Sequence, residues 1–202
     1  MSIPEWSRIP YEELVSLRGG GLEIVSPLDE RRNCIVKVRR RENEGCLVLK
    51  IGREDVDVER NVLEKTADSP DHTPYLVDYW RVRYYRCILK EFIEGERLDD
   101  GLLDQTQYAH LAETVGYLHG KGICNLDIEG GNILITLGGR PRLFDFDMCE
   151  LDGSPLLIEL DWYNLEKLRR DDCEQSSVSP SGRAKSSYSV SNKKTDERKE
   201  DD

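Results

Sequence analysis

The chain has 202 residues, a formal net charge of −11 and a hydrophobic content of 38%. That length fits one domain, or one domain with a tail. The acidic balance argues against nucleic acid or an anionic membrane surface as a partner, and no run reaches the roughly 18 apolar residues that a membrane helix needs.

Charge is unevenly spread. Residues 174–202 hold six basic residues and six acidic ones, so the whole net charge falls on the preceding part. The same stretch has almost no large apolar side chains and reads as a disordered polar tail. Six cysteines, at 34, 46, 87, 124, 149 and 173, form no C-x-x-C pair. Most lie in apolar stretches, which points to reduced thiols and a cytoplasmic or nuclear location. The first residues lack a basic region followed by an apolar run, so no signal peptide is read.

In chain order, residues 10–17 read as a short helix ended by Gly19-Gly20-Gly21. A strand begins over 22–25. Two β-rich runs follow, Cys34-Ile-Val-Lys-Val-Arg and Cys46-Leu-Val-Leu-Lys-Ile, joined by a polar turn. Residues 55–66 carry Val56, Val58, Val62 and Leu63 on a helical face. Residues 76–82 and 85–93 are two more strands, closed by Gly95. Tyr108, Leu111, Ala112, Val115 and Leu118 recur at helical steps over 105–119. Short strands over 132–137 and 141–144 flank the turn Gly138-Gly139. Residues 161–170 form the last helical pattern. The expected divisions are an extension (1–22), a strand-rich lobe (23–93), a mainly helical lobe (94–173) and the tail (174–202). A cleft at the joint is where a ligand would bind.

The chemistry is concentrated in one stretch. Asp127 is followed five residues later by Asn132, and thirteen residues after that by Asp145 in Phe144-Asp-Phe-Asp147. Apolar runs flank all three. Phosphoryl transfer from a nucleotide needs such a set: one carboxylate for the attacking hydroxyl, and an amide oxygen with a second carboxylate for the metal. This stretch resembles the catalytic loop and metal-binding segment of the protein kinase superfamily. The resemblance runs from about residue 23 to 168, and is nearest to compact members such as the RIO kinases. It implies an α+β, two-lobed fold: an antiparallel sheet with one helix in the first lobe, and a reduced, mainly helical second lobe.

The remaining family parts fall on particular residues. Lys50, ending Leu47-Val-Leu-Lys, matches the strand lysine that grips the α- and β-phosphates. Glu59 matches the helix glutamate that pairs with it, with Glu64, Asp55 and Asp57 as competitors. Glu91 and Ile93 match the backbone positions that bond adenine. Asp127 is the implied catalytic base, Asn132 and Asp145 the implied Mg²⁺ ligands. Asp161, in Asp161-Trp-Tyr-Asn-Leu, matches the brace of the catalytic loop. The implied activity is transfer of the γ-phosphate of Mg-ATP to a hydroxyl, a protein Ser/Thr more readily than a small molecule, with neither nucleic acid nor membrane as partner.

Several positions depart from the family pattern. The nucleotide loop, residues 26–36, has no glycine, where close approach of backbone N–H groups to phosphate favours one. Asp29 and Glu30 would repel phosphate, while Arg31 and Arg32 could supply side-chain contacts. Lys90 stands where an apolar residue is usual, and needs Glu59 or Asp145 as partner or an outward-reaching stem. Asn125-Leu126 replaces a histidine and an arginine, Glu129 a lysine, and Asp147 a glycine, where it could add a metal ligand. Only fifteen residues separate Asp145 from Asp161. These departures support an alternative, a pseudokinase that binds nucleotide or partners with little or no catalysis.

Overall fold

Alternation of apolar residues builds the first sheet. In Cys34–Arg40 (β2) the side chains of Cys34, Val36 and Val38 are buried, and those of Ile35 and Lys37 are half-buried, as a period of two requires. The computed structural model describes residues 21–29, 34–40 and 45–170. The expected helix over 10–17, the arginines at 31 and 32 and the polar tail lie outside the described residues. The other elements are β1 (Leu22–Asp29), β3 (Cys46–Gly52), α1 (Asp55–Lys65), β4 (Leu76–Val82), β5 (Tyr85–Glu91), β6 (Gly95–Arg97), α2 (Gln105–Gly120), β7 (Ile133–Thr136), β8 (Pro141–Leu143) and α3 (Pro155–Lys167). The fold is α+β: a five-stranded sheet in the order β1-β2-β3-β5-β4 and a three-stranded sheet β6-β7-β8, all antiparallel.

Strand β3 is buried along almost its whole length because both of its faces are covered. Leu49 and Ile51 pack with Val36, Trp80 and Cys87 in one cluster. The opposite face looks toward α1. There Lys50 pairs with Ile88 and Val48 with Lys90, so both lysines point the same way. Ile88 joins Val56, Val62 and Leu63 of α1 in a second core, which continues through Leu111, Val115 and Leu118 of α2 to Leu126, Ile128, Phe146 and Leu165. One hydrophobic core therefore backs both sheets and fixes the loops between them.

Local signals place the helices. Asp104 and Gln107 form a reciprocal capping box that starts α2. Helix α1 has Asp55 and Asp57 in its first turn and Lys65 in its last, which suits the helix dipole. Two elements differ from expectation. Helix α3 starts at Pro155, six residues before residue 161, because Pro155 stands in its first turn after Ser154. Gly95 opens a strand as well as ending a block: β6 pairs with β7, and a Cβ at Gly95 would lie 2.5 Å from the carbonyl oxygen of Ile135. Among the described residues, no helix is long and apolar enough to cross a membrane.

Candidate active site at the junction of the two sheets

A cavity of about 730 Å³ opens beside β3, β5 and the β7–β8 hairpin, a size that suits a small-molecule ligand. Val48, Ile93, Leu134 and Phe144 give it apolar walls; Lys50, Lys90 and Asp145 give it charge. At the chain crossing after β5, the N–H of Glu91 is already bonded to the carbonyl of Tyr75 at 3.0 Å. Its carbonyl is then the only backbone group that residue can offer to a base. Ile93 is buried, lines the cavity, and has no hydrogen-bond partner for its N–H among the described residues. The Glu91 carboxylate faces away from such a role. It accepts from Arg142 at 3.0 and 3.2 Å, and Arg142 also donates to the carbonyls of Pro70 and Thr73 at 2.8 Å each. Arg142 thus ties β8 to the end of β5 and to the segment after α1. The one sign of it in the sequence is a cation in a short strand whose neighbours, Pro141 and Leu143, are apolar.

Two lysines and three carboxylates meet behind the cavity. Lys50 is 1% exposed and Glu59 is fully buried. The Lys50 ammonium lies 2.7 Å from Asp145, 2.9 Å from Glu59 and 3.2 Å from Asp147. Burial works against its charge, but the attraction of these three carboxylates outweighs that and raises its pKa above the ordinary lysine value. Burial likewise works to raise Asp145, yet Lys50 and Lys90 hold it below the usual carboxylate range. Asp147 is raised, by burial first and with repulsion from Asp145 adding to it against the pull of Lys50. The competing acids on α1 go elsewhere: Glu64 faces solvent beside Arg60, and Asp57 takes Tyr79 and Arg86. Lys90 is also buried, donating to Glu59 and, at 2.7 Å, to the carbonyl of Phe144. Its charge is met inside the protein, by Glu59, and its stem does not reach for solvent.

The second group lies on the loop between α2 and β7. Asp127 is exposed and adopts a left-handed backbone with φ 48°, as does Asn125 with φ 57°. Aspartate and asparagine tolerate that region better than other side chains. The Asn132 amide donates to both the Asp127 backbone carbonyl and its carboxylate, each at 3.0 Å. Ile133 pairs with Leu143 at the start of the hairpin. Asn132, just before that pair, and Asp145, just after its partner strand, therefore leave the same end of the ladder. No group of three or more His, Cys, Asp or Glu side chains is arranged to hold a metal ion among the described residues. Mg²⁺ needs fewer protein ligands than that: one or two oxygen donors plus substrate phosphates suffice. The amide oxygen of Asn132 and the second carboxylate oxygen of Asp145 are hard donors of that type, so the set fits the ion.

Asp161, at 1% exposure, holds the loop from beneath. It accepts from the backbone N–H of Leu126 at 2.8 Å and contacts Nε2 of His119 at 2.9 Å. His119, on the last turn of α2, is a partner that sequence reading missed, since α2 and α3 are far apart in the chain. Asp161→Ala would orphan both groups, at about 1–3 kcal/mol for each buried one. Thermal melts should show a clear loss of stability, and Asp161→Asn, which keeps one acceptor, should recover part of it. Gly130 is equally constrained. A Cβ there would lie 1.6 Å from the carbonyl oxygen of Asp99, whose N–H bonds Gly130 at 3.1 Å. Gly130→Ala is expected to cost about 1–3 kcal/mol in urea unfolding, with the loop of Asp127 displaced as well.

Sequence comparison finds protein kinases among the similar proteins. The chain is 36% identical over 128 residues to serine/threonine-protein kinase 10 of Rattus norvegicus, covering 55% of this chain and 13% of that protein. It is 26% identical over 133 residues to serine/threonine-protein kinase AtPK2/AtPK19 of Arabidopsis thaliana, covering 57% and 28%. It is 26% identical over 121 residues to the mitosis inhibitor protein kinase SWE1 of Candida albicans, covering 54% and 10%. Over about half of its length the chain is similar to members of the protein kinase superfamily. No protein-family model matches it, and it spans less than a third of the length of each of these relatives. In the buried cluster itself, Lys50, Glu59 and Asp145 are joined by two further charged residues, Lys90 and Asp147.

Proposed function

We propose that the chain is a phosphotransferase that moves the γ-phosphate of Mg-ATP to a hydroxyl of a protein serine or threonine. One observation carries this reading: Asp127 is an exposed carboxylate whose direction is fixed by Asn132 and whose backbone is held, one residue earlier, by buried Asp161. A carboxylate so placed can orient an attacking hydroxyl and take its proton. Lys50 would meet the nucleotide phosphates as a fixed cation that needs no reorganisation at the moment of transfer. Asn132 and Asp145 would hold Mg²⁺, which when bound neutralises charge on the transferring group. The Glu91 carbonyl and the Ile93 N–H would meet the base. The serine/threonine class is drawn from the names of the relatives.

A second reading has its own support. Lys50 already faces three carboxylates, one of them Asp147, and a nucleotide must compete with them. A pseudokinase that binds without transferring would tolerate this. Thermal shift with Mg-ATP and transfer of labelled γ-phosphate to the protein and to generic substrates separate the readings. A raised melting temperature with transfer supports the first, and a shift without transfer the second. No shift at all would remove both.

A further inference from the structure

The two cations around Glu59 are not equivalent. Lys90 donates a directed hydrogen bond to Oε1 of Glu59 and a second, at 2.7 Å, to the carbonyl of Phe144. Lys50 aims its hydrogen bonds elsewhere, at Asp145 (2.7 Å) and Asp147 (3.2 Å). Its approach to Oε2 of Glu59 at 2.9 Å is an ion pair only, and that oxygen has no hydrogen-bond partner. We infer that Lys90, and not Lys50, is the residue that positions Glu59 and so docks α1 against the sheet. The inference deepens the nucleotide-binding reading above and rests on it for its consequence.

The physical reason lies in what ligand binding asks of Lys50. A phosphate that draws the Lys50 ammonium toward the cavity weakens its contact with Glu59. Glu59 is fully buried, and a buried carboxylate stripped of its cation is strongly unfavourable. With one lysine, helix docking and phosphate binding would compete for the same charge. With Lys90 in place Glu59 stays compensated, and Lys50 is free to exchange carboxylates for phosphate. Lys90 also joins three segments at one atom: β5 through its own backbone, α1 through Glu59, and the strand end before Asp145 through Phe144. Helix α1 would then be docked whether or not a ligand is present.

Hydrogen–deuterium exchange on the full chain without nucleotide tests this, with α2 amides as the internal reference. In Lys50→Met, α1 amides should keep wild-type protection within about twofold, because Glu59 retains its hydrogen-bonded partner. In Lys90→Met, α1 amides should exchange at least about tenfold faster while α2 changes less, and Lys90→Arg, which keeps the charge, should restore part of the protection. Faster α1 exchange in Lys50→Met, or failure of that variant to fold, would overturn the inference, as would unchanged α1 protection in Lys90→Met. Should Lys90→Met not fold, the Lys50→Met arm decides alone. Absence of a Mg-ATP thermal shift in the wild-type chain counts against the nucleotide-binding reading and leaves the exchange result standing.

Discussion

Glu59→Ala is expected to lower the unfolding free energy by about 3–5 kcal/mol. The substitution removes little apolar surface, so the loss does not come from packing. It comes from the lysines left behind. Lys90 is 5% exposed and would keep one hydrogen bond, to the neutral carbonyl of Phe144, with Asp145 as a nearby charge that Lys50 already engages. Lys50, at 1% exposure, would keep Asp145 and Asp147. A loss of that size is a large share of the roughly 5–15 kcal/mol that holds a typical domain together. Urea titration measures it directly: the midpoint should fall with the slope unchanged. Glu59→Gln keeps an acceptor for Lys90 and should lose less. Replacing Glu59 and Lys90 together by Leu and Met removes both buried charges, and should recover much of the Glu59→Ala loss. A Glu59→Ala unfolding free energy within about 0.5 kcal/mol of wild type would mean that water reaches the lysines and that the cluster is not the buried network described above.

The same cluster shows what a sequence can and cannot reveal. The spacing of Asp127, Asn132 and Asp145 is legible because these residues are local in the chain, on one loop and one hairpin. The strands and α2 are legible because their apolar residues repeat at periods of two and about 3.6. Lys90 was visible as an anomaly, a charge in the middle of Ile88-Leu-Lys-Glu-Phe. The sequence does not choose its partner between Glu59 and Asp145, because only tertiary placement decides between two carboxylates. His119 and Arg142 were not legible as parts of the site. Each acts on a residue more than forty positions away, Asp161 and Glu91 respectively. The early start of α3 was missed because Leu156 and Leu160 are exposed; they give no buried face to read, and Pro155 was the available signal.

Asp127→Asn should separate the two readings of function by the size of its effect. Asparagine has the shape of aspartate and can still accept from the Asn132 amide, so the loop should stay in place. The left-handed backbone at this position suits asparagine as well as aspartate. What is lost is the negative charge and the ability to take a proton. A general base contributes about 10²–10⁴-fold to rate, so transfer of labelled phosphate should fall by a factor in that range. The Mg-ATP thermal shift should be nearly unchanged, because Asp127 faces the hydroxyl and not the nucleotide phosphates in the proposed arrangement. A pseudokinase predicts a different pair of results: no transfer in the wild type, and the same nucleotide shift in both proteins. A wild type that transfers phosphate, beside an Asp127→Asn variant that transfers it equally well, would defeat the assignment of Asp127. The proton acceptor would then have to be sought among the other exposed carboxylates, with Glu129, two residues along the same loop, the first to test.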